Sequence, residues 1–176
     1  MDLIFDIPRL CNFIDRTEGL KPLNQLEAAI CFSGRTIEIL LGSPHQLVLR
    51  ILCERPDWQL SSIMQIFSQQ LPLLSLVEQV RFFHSPSSWG MLEWKDDPDM
   101  DPSQWLELFR LFVAAHSVRV SAGLVPSVAR ALQDLRGQMA AEIFPVLRTL
   151  SLEGYQPFGP VHEALKSFAT VRQLSL

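Results

Sequence analysis

The chain has 176 residues, a formal net charge of −4 and 48% hydrophobic residues. That length fits one domain or one compact repeat array with a sizeable core, and excludes a chain disordered throughout. No long basic run is present and the arginines are scattered singly, so no nucleic-acid partner is expected. No apolar stretch reaches the length of a membrane span, so no membrane partner is expected either.

From Met1 to Ile14, acids and Arg9 interrupt the apolar residues, which is not the pattern of a secretory leader. Cys11, Cys31 and Cys53 are odd in number and form neither a CxxC pair nor a zinc pattern. They read as buried free thiols suited to a reducing compartment. The expected location, by elimination, is the cytoplasm or nucleus.

The N-terminal third, residues 1–55, reads as a short helix over Ile7–Asp15 followed by three strands. Leu26, Ala28, Ile30 and Phe32 alternate with other residues; so do Ile37, Ile39 and Leu41, and then Leu47, Leu49 and Ile51. Ser33-Gly34 and Gly42-Ser43-Pro44 punctuate them, predicting hairpin-like turns and partly antiparallel pairing. This unit either extends the sheet that follows or caps its first end.

Residues 56–176 read as helix–strand repeats. Four segments place apolar residues at positions one, four and six: Val77-Glu-Gln-Val80-Arg-Phe82, Ala115-His-Ser-Val118-Arg-Val120, Leu147-Arg-Thr-Leu150-Ser-Leu152 and Val171-Arg-Gln-Leu174-Ser-Leu176. This is the L-x-x-L-x-L core of a leucine-rich repeat. Val80, Val118, Leu150 and Leu174 follow one another at 38, 32 and 24 residues. Only the last interval lies in the usual ~20–29, so the longer ones carry insertions.

A helical pattern precedes each strand. Leu60, Ile63, Met64, Phe67 and Leu71 share a face, as do Trp105, Leu106, Phe109, Phe112 and Val113. Asp101 is the expected N-cap of the second helix, with Pro102 at N1, a Gln104 capping box and a Met100–Trp105 staple. Val125, Val128, Leu132 and Leu135 make a third helix, and a short turn at Ala140–Phe144 ends at Pro145. Pro160 opens a fourth helix with Val161, Ala164, Leu165 and Phe168 on one face. Strands linked by helices are expected to be parallel, with right-handed crossovers. The expected architecture is an α/β, irregular leucine-rich-repeat-like right-handed solenoid. Its parallel sheet is backed by helices, with an N-terminal helix and β-hairpin-like cap, all in one domain.

Several phrases resemble a known family. Asp57-Trp-Gln-Leu-Ser-Ser, Asp101-Pro-Ser-Gln-Trp-Leu-Glu-Leu-Phe-Arg, Ala131-Leu-Gln-Asp-Leu and Leu152-Glu-Gly-Tyr-Gln-Pro, with Val171-Arg-Gln-Leu-Ser, resemble the repeat region of fungal (basidiomycete) F-box-like proteins. The resemblance runs from about Ile7 to the end of the chain. It implies the substrate-recognition part of a ubiquitin ligase subunit, and hence a protein partner. The F-box that docks onto the Skp-type adaptor has no counterpart in the few residues ahead of Ile7, so adaptor docking is not carried over. A repeat fragment with no specific ligand is the alternative.

No catalytic residue, metal site or cofactor is expected. Asp97, Asp99 and Asp101 open like a calcium loop, but Pro102 stands where glycine is needed and Leu108 where the bidentate glutamate belongs. A solvated acidic loop ending in a helix cap accounts for the run. His45, His84, His116 and His162 lack metal-ligand spacing. The chain contains no dinucleotide fingerprint, P-loop or nucleophile elbow. Glu78, Glu107, Glu142 and Glu163 read as structural carboxylates.

Two surfaces are candidates for binding. One is His84–Met100, where Trp89 and Trp94 sit beside acids and prolines as aromatic anchors do; the competing reading is an insertion whose tryptophans tuck back onto a helix. The other is the face opposite the core-facing strand residues, carrying Gln79, Arg81 and Phe83, then Ser117, Arg119 and Ser121, then Thr149, Ser151 and Glu153, then Gln173 and Ser175. In a curved solenoid this is the concave face. The competing reading is that its polar residues only keep an exposed sheet soluble.

Overall fold

The computed structural model describes residues 26–42, 47–53, 58–67, 74–85, 101–133, 135, 137–156 and 159–175. The expected helix at Ile7–Asp15, Leu71, Met100, Trp89 and Trp94 lie outside them, as do Cys11 and His45.

Six strands form one mixed sheet: β1 (Leu26–Ser33), β2 (Thr36–Leu41), β3 (Leu47–Leu52), β4 (Val77–His84), β5 (Ser117–Ser121) and β6 (Thr149–Glu153). Their spatial order is β3-β2-β1-β4-β5-β6. The first three form an antiparallel meander, and β1, β4, β5 and β6 run parallel. The meander therefore extends the parallel sheet edge-on through β1. Gly34, with φ +50, occupies the β1–β2 turn in the backbone region that glycine enters without steric cost.

Helices cover one face of the sheet: α1 (Trp58–Phe67), α2 (Pro102–Arg110), α3 (Val125–Leu132), α4 (Gly137–Glu142) and α5 (Gly159–Arg172). A 3-10 turn at Ala122–Leu124 leads into α3. The helices stack in sequence, α1 on α2, α2 on α3 and α3 on α5. Asp101 caps α2, its Oδ1 accepting from the Ser103 backbone N–H at 2.9 Å, with Pro102 in the first turn. Hydrogen bonding from the Ser103 side chain, and then from its backbone N–H, holds the Asp101 carboxyl below the ordinary carboxylate range. The expected capping box does not close: Gln104 Oε1 is buried without a hydrogen-bond partner among the described residues.

The strand alternation decides what is buried. Ile30, Phe32, Ile37, Ile39, Val80, Phe82, Val118, Val120 and Leu150 join the helices in one core. Positions one and four of the repeat pattern are three residues apart, which a regular two-residue alternation does not accommodate on one face. β4 solves this with a bulge: Leu26 pairs with Val77 and Glu27 with Gln79, leaving Glu78 as the extra residue. In the next two repeats the strand starts after position one, and Ala115 and Leu147 are buried ahead of it.

An aromatic seam runs through this core. Trp105 packs against Phe32, Phe82 and Phe109 at centroid distances of 5.7, 5.9 and 5.5 Å. Phe82 also meets Phe109 and Phe112, and Phe144 lies 4.9 Å from Phe109. Burying a tryptophan removes about 150–250 Å² from water, a gross gain of roughly 4–6 kcal/mol at ~25 cal/mol/Å².

Some expected positions differ. Leu108 is buried in α2 where Leu106 is only half-buried, and Val113 is 44% exposed because the helix ends at Arg110. In α1, Ile66 joins the buried face while Met64 is half-buried. The fourth repeat segment is not a strand. No glycine or proline follows Pro160, so α5 runs on to Arg172.

That helix closes on Gln173 in a left-handed conformation, φ 54. The Leu174 N–H reaches Ala169 O at 2.9 Å and the Gln173 N–H reaches Thr170 O at 3.2 Å, the Schellman pattern. Only Ser175 then bridges to the sheet, opposite Thr149. Arg172 locks this end by donating to the carbonyls of Ala140, Phe144 and Pro145 at 3.0, 2.8 and 3.0 Å. Phe144 itself sits at φ 47, ahead of Pro145.

Leu150, the second residue of β6, is 2% exposed. Leu150→Asp places an uncompensated charge in the core and is expected to cost more than about 4 kcal/mol, abolishing the cooperative melt. Thermal unfolding followed by circular dichroism checks this; a variant as stable as the parent contradicts the strand phase.

Candidate functional site

The face of the sheet turned away from the helices is mostly polar on β4, β5 and β6 and mixed on the meander, where Val48 and Leu52 are exposed. The pairing register arranges these residues in rows across the strands. Val48, Leu40, Ala29, Arg81, Arg119 and Ser151 form one continuous row of paired positions. Glu27, Gln79, Ser117, Thr149 and Ser175 form the next. On the other side lie Arg50, Glu38, Cys31 and Phe83.

The rows give this surface a definite chemistry. Arg81 and Arg119 are direct partners on adjacent parallel strands. Arg81 is tied down: its Nη2 lies 2.7 Å from Glu153 Oε2 and its Nε donates to the same oxygen at 3.1 Å, reaching across β5 to β6. Its guanidinium also stands 5.1 Å from the Phe83 ring centre, a cation–π distance. Arg119 is exposed and has no ion pair or side-chain hydrogen bond with another described residue. A shallow depression of about 310 Å³ lies beside the pair. Gln79, Ser117 and Glu27 supply its polar wall, and Leu40, Ala29 and Phe83 its apolar wall.

The expected binding residues thus divide. Gln79, Arg81, Ser117 and Arg119 come together at the depression. Thr149 and Ser151 continue the same rows on β6, half-buried. Gln173 does not belong: it stands in the turn that ends α5, exposed and off any strand. Trp89 and Trp94 fall outside the described residues. Glu27, Leu40 and Ala29 enter the site from the meander, and the repeat pattern gave no sign of them, because it begins only at β4.

Other titratable groups play structural parts. Glu78, displaced by the bulge, lies 3.7 Å from His116 Nε2. Glu38 pairs with Arg50 across β2 and β3 at 2.6 Å. Cys31 lies on the outward row yet is 5% exposed, and burial followed by the charge of Glu38 pushes its thiol up. Cys53 is raised by burial too, against the opposing effect of its 3.7 Å hydrogen bond to Ser62 Oγ. Both are free thiols of low reactivity. Among the described residues no group of three or more His, Cys, Asp or Glu is placed to hold a metal ion. No described helix is long and apolar enough to cross a membrane.

Gln59 is the buried polar side chain of the core among the described residues. Its Nε2 donates to Gly34 O at 2.9 Å, sewing α1 to the β1–β2 turn. His84 ends β4, with its ring 6.3 Å from Phe32 and its backbone N–H 3.4 Å from Ser121 Oγ. Gly123 crowds it: a Cβ there would sit 3.0 Å from His84 Cδ2. Burial lowers the His84 pKa, opposed by a hydrogen bond with the Phe32 backbone.

No family model, curated protein or solved structure matches this chain.

Two expectations follow from these contacts. Arg81→Ala removes one exposed ion pair, and Arg119→Ala removes a like-charged neighbour. The double variant should lie within about 1 kcal/mol of the parent by denaturant titration. A larger loss would mean that the two side chains do not face solvent. For His84, the folded state binds its proton less readily than the unfolded chain. Its contribution is present in full above the unfolded value of 6.5 and is lost as pH falls from there through the depressed folded value. Stability at about pH 5 should therefore fall less, relative to about pH 7.5, in His84→Gln than in the parent. Equal falls would remove His84 from that account.

Proposed function

We propose that the chain is a non-catalytic protein-interaction module of irregular, right-handed, leucine-rich-repeat-like solenoid build. Its ligand is a protein partner docked on the open face of the sheet. The observation that carries this reading is the outward row of Arg81 and Arg119 beside a shallow depression, on the sheet face opposite the helices. The groups gathered there are guanidiniums, an amide, a hydroxyl, a carboxylate and aliphatic and aromatic apolar side chains. Such groups make hydrogen bonds and ion pairs with a partner surface.

The repeat reading is supported by order. Helices α1, α2, α3 and α5 stack in chain order, as do β4, β5 and β6. Val80, Val118 and Leu150 pair in register, as do Phe82, Val120 and Leu152. The resemblance to the repeat region of fungal F-box-like proteins makes the role that of substrate recognition for a ubiquitin ligase. Docking to the Skp-type adaptor is no part of the proposal for these residues. Free, buried Cys31 and Cys53 fit the cytoplasm or nucleus.

Affinity capture from native extract tests the reading. The parent is compared with Arg81→Ala/Arg119→Ala and with a helix-side control, Glu163→Ala/Lys166→Ala, whose residues are exposed on α5. The sheet-face variant should lose a captured protein that the control keeps. Capture unaffected by the sheet-face variant, or lost in the helix-side control, would contradict it.

A further inference from the structure

The open face leaves one of its guanidiniums, Arg119, without an ion pair to another described residue. Arg81 and Arg119 project side by side from paired positions, an arrangement that is unfavourable for like charges. Glu153 answers Arg81 alone, through both Nε and Nη2. Arg119 remains exposed, without an ion pair to another described residue, although the Glu27 carboxylate lines the same depression. A guanidinium in that state presents a planar fork of donors matched to a carboxylate. We infer that the depression receives an extended acidic peptide segment of the partner, whose carboxylate pairs with Arg119. This inference rests on the docking role proposed above and names the chemistry of what docks.

The surroundings set two further features of that segment. Leu40, Ala29, Arg81 and Arg119 are one row over four neighbouring strands. Three strand spacings make about 14 Å, or roughly four residues of extended chain. Leu40 and Ala29 are aliphatic, so the end of the segment away from the acid carries an aliphatic side chain. Glu27 lines the depression near that end, and Glu153 already occupies Arg81. These carboxylates disfavour a doubly charged phosphate, while Arg119, the one unpaired cation among the described residues lining the depression, balances one carboxylate. The segment is therefore an acidic residue and an aliphatic one about four positions apart, lying across the strands.

A phage-displayed library of random peptides selected on the intact chain provides the test. The selected peptides are then synthesised with Glu, Gln or phosphoserine at the acidic position and measured by fluorescence anisotropy. Three variants are used with the parent: Arg119→Gln, Arg119→Lys, and Ala29→Trp, which fills the depression. Each is checked for its melt, and Arg119 is exposed, so its variants keep the fold. The expected result is a pool with the spaced acidic and aliphatic pair. The Gln peptide should bind about tenfold or more weakly than the Glu peptide. Arg119→Gln should lose the same factor, with little further loss when both changes are combined, and Arg119→Lys should recover part of it.

Peptides blocked by Ala29→Trp but indifferent to acid and to Arg119→Gln would overturn the inference while leaving the docking face. Tighter binding of phosphoserine than of Glu would overturn it as well. A pool that ignores Arg119→Gln and Ala29→Trp alike would bring down both the inference and the docking role.

Discussion

The packing of Phe82 and Trp105 is the contact on which the rest of the structure depends. Phe82 projects from β4, the strand that joins the antiparallel meander to the parallel half. Trp105 projects from α2 and touches Phe32 on β1 as well as Phe82. Through Phe109 and Phe112 the seam reaches Phe144, beyond α4. Two halves of a sheet with different strand directions are thereby held over one set of rings. A one-residue slip in β4 would turn Phe82 to water and Arg81 into the core, so the aromatic seam also fixes the register.

The register in turn makes the open face of the sheet. Because Val80 and Phe82 point to the helices, Gln79, Arg81 and Phe83 must point away. Pairing then carries that phase across the sheet, so that Arg119 lands beside Arg81 and Ser151 beside Arg119. The same pairing reaches into the meander and brings Ala29 and Leu40 into the row. The bulge at Glu78 lets Val77 join the core without reversing the strand. A polar surface with a defined row of charges follows from where the rings are buried.

Much of this was legible in the sequence because the signals were periodic. The one-four-six pattern placed β4, β5 and β6 and their inward residues, and apolar faces placed the helices behind them. Asp101 and Pro102 marked the start of α2 correctly. Other features had no local signal. The fourth pattern, Val171 to Leu176, looks the same as its predecessors, yet α5 takes its first two residues, and Arg172 is held by three carbonyls at the end of α4 and the turn after it. A tertiary contact outweighed the pattern there, and Gln173 went with it into a helix cap. Gln104 matched a capping box in sequence, but Asp101 alone makes the cap. The contribution of Glu27, Ala29 and Leu40 to the depression depends on the parallel pairing of β1 with β4, a contact between residues about fifty apart in the chain.

The measurement that tests this account most directly is thiol accessibility along β5. Ser117, Val118, Arg119 and Val120 are each replaced by Cys in turn, and reaction with Ellman's reagent is timed against the parent. The added thiols at 117 and 119 should react freely. Those at 118 and 120 should be slower by on the order of a hundredfold, reacting only when the fold opens. Uniform rates along the strand, or the opposite alternation, would contradict a sheet buried on one face and open on the other.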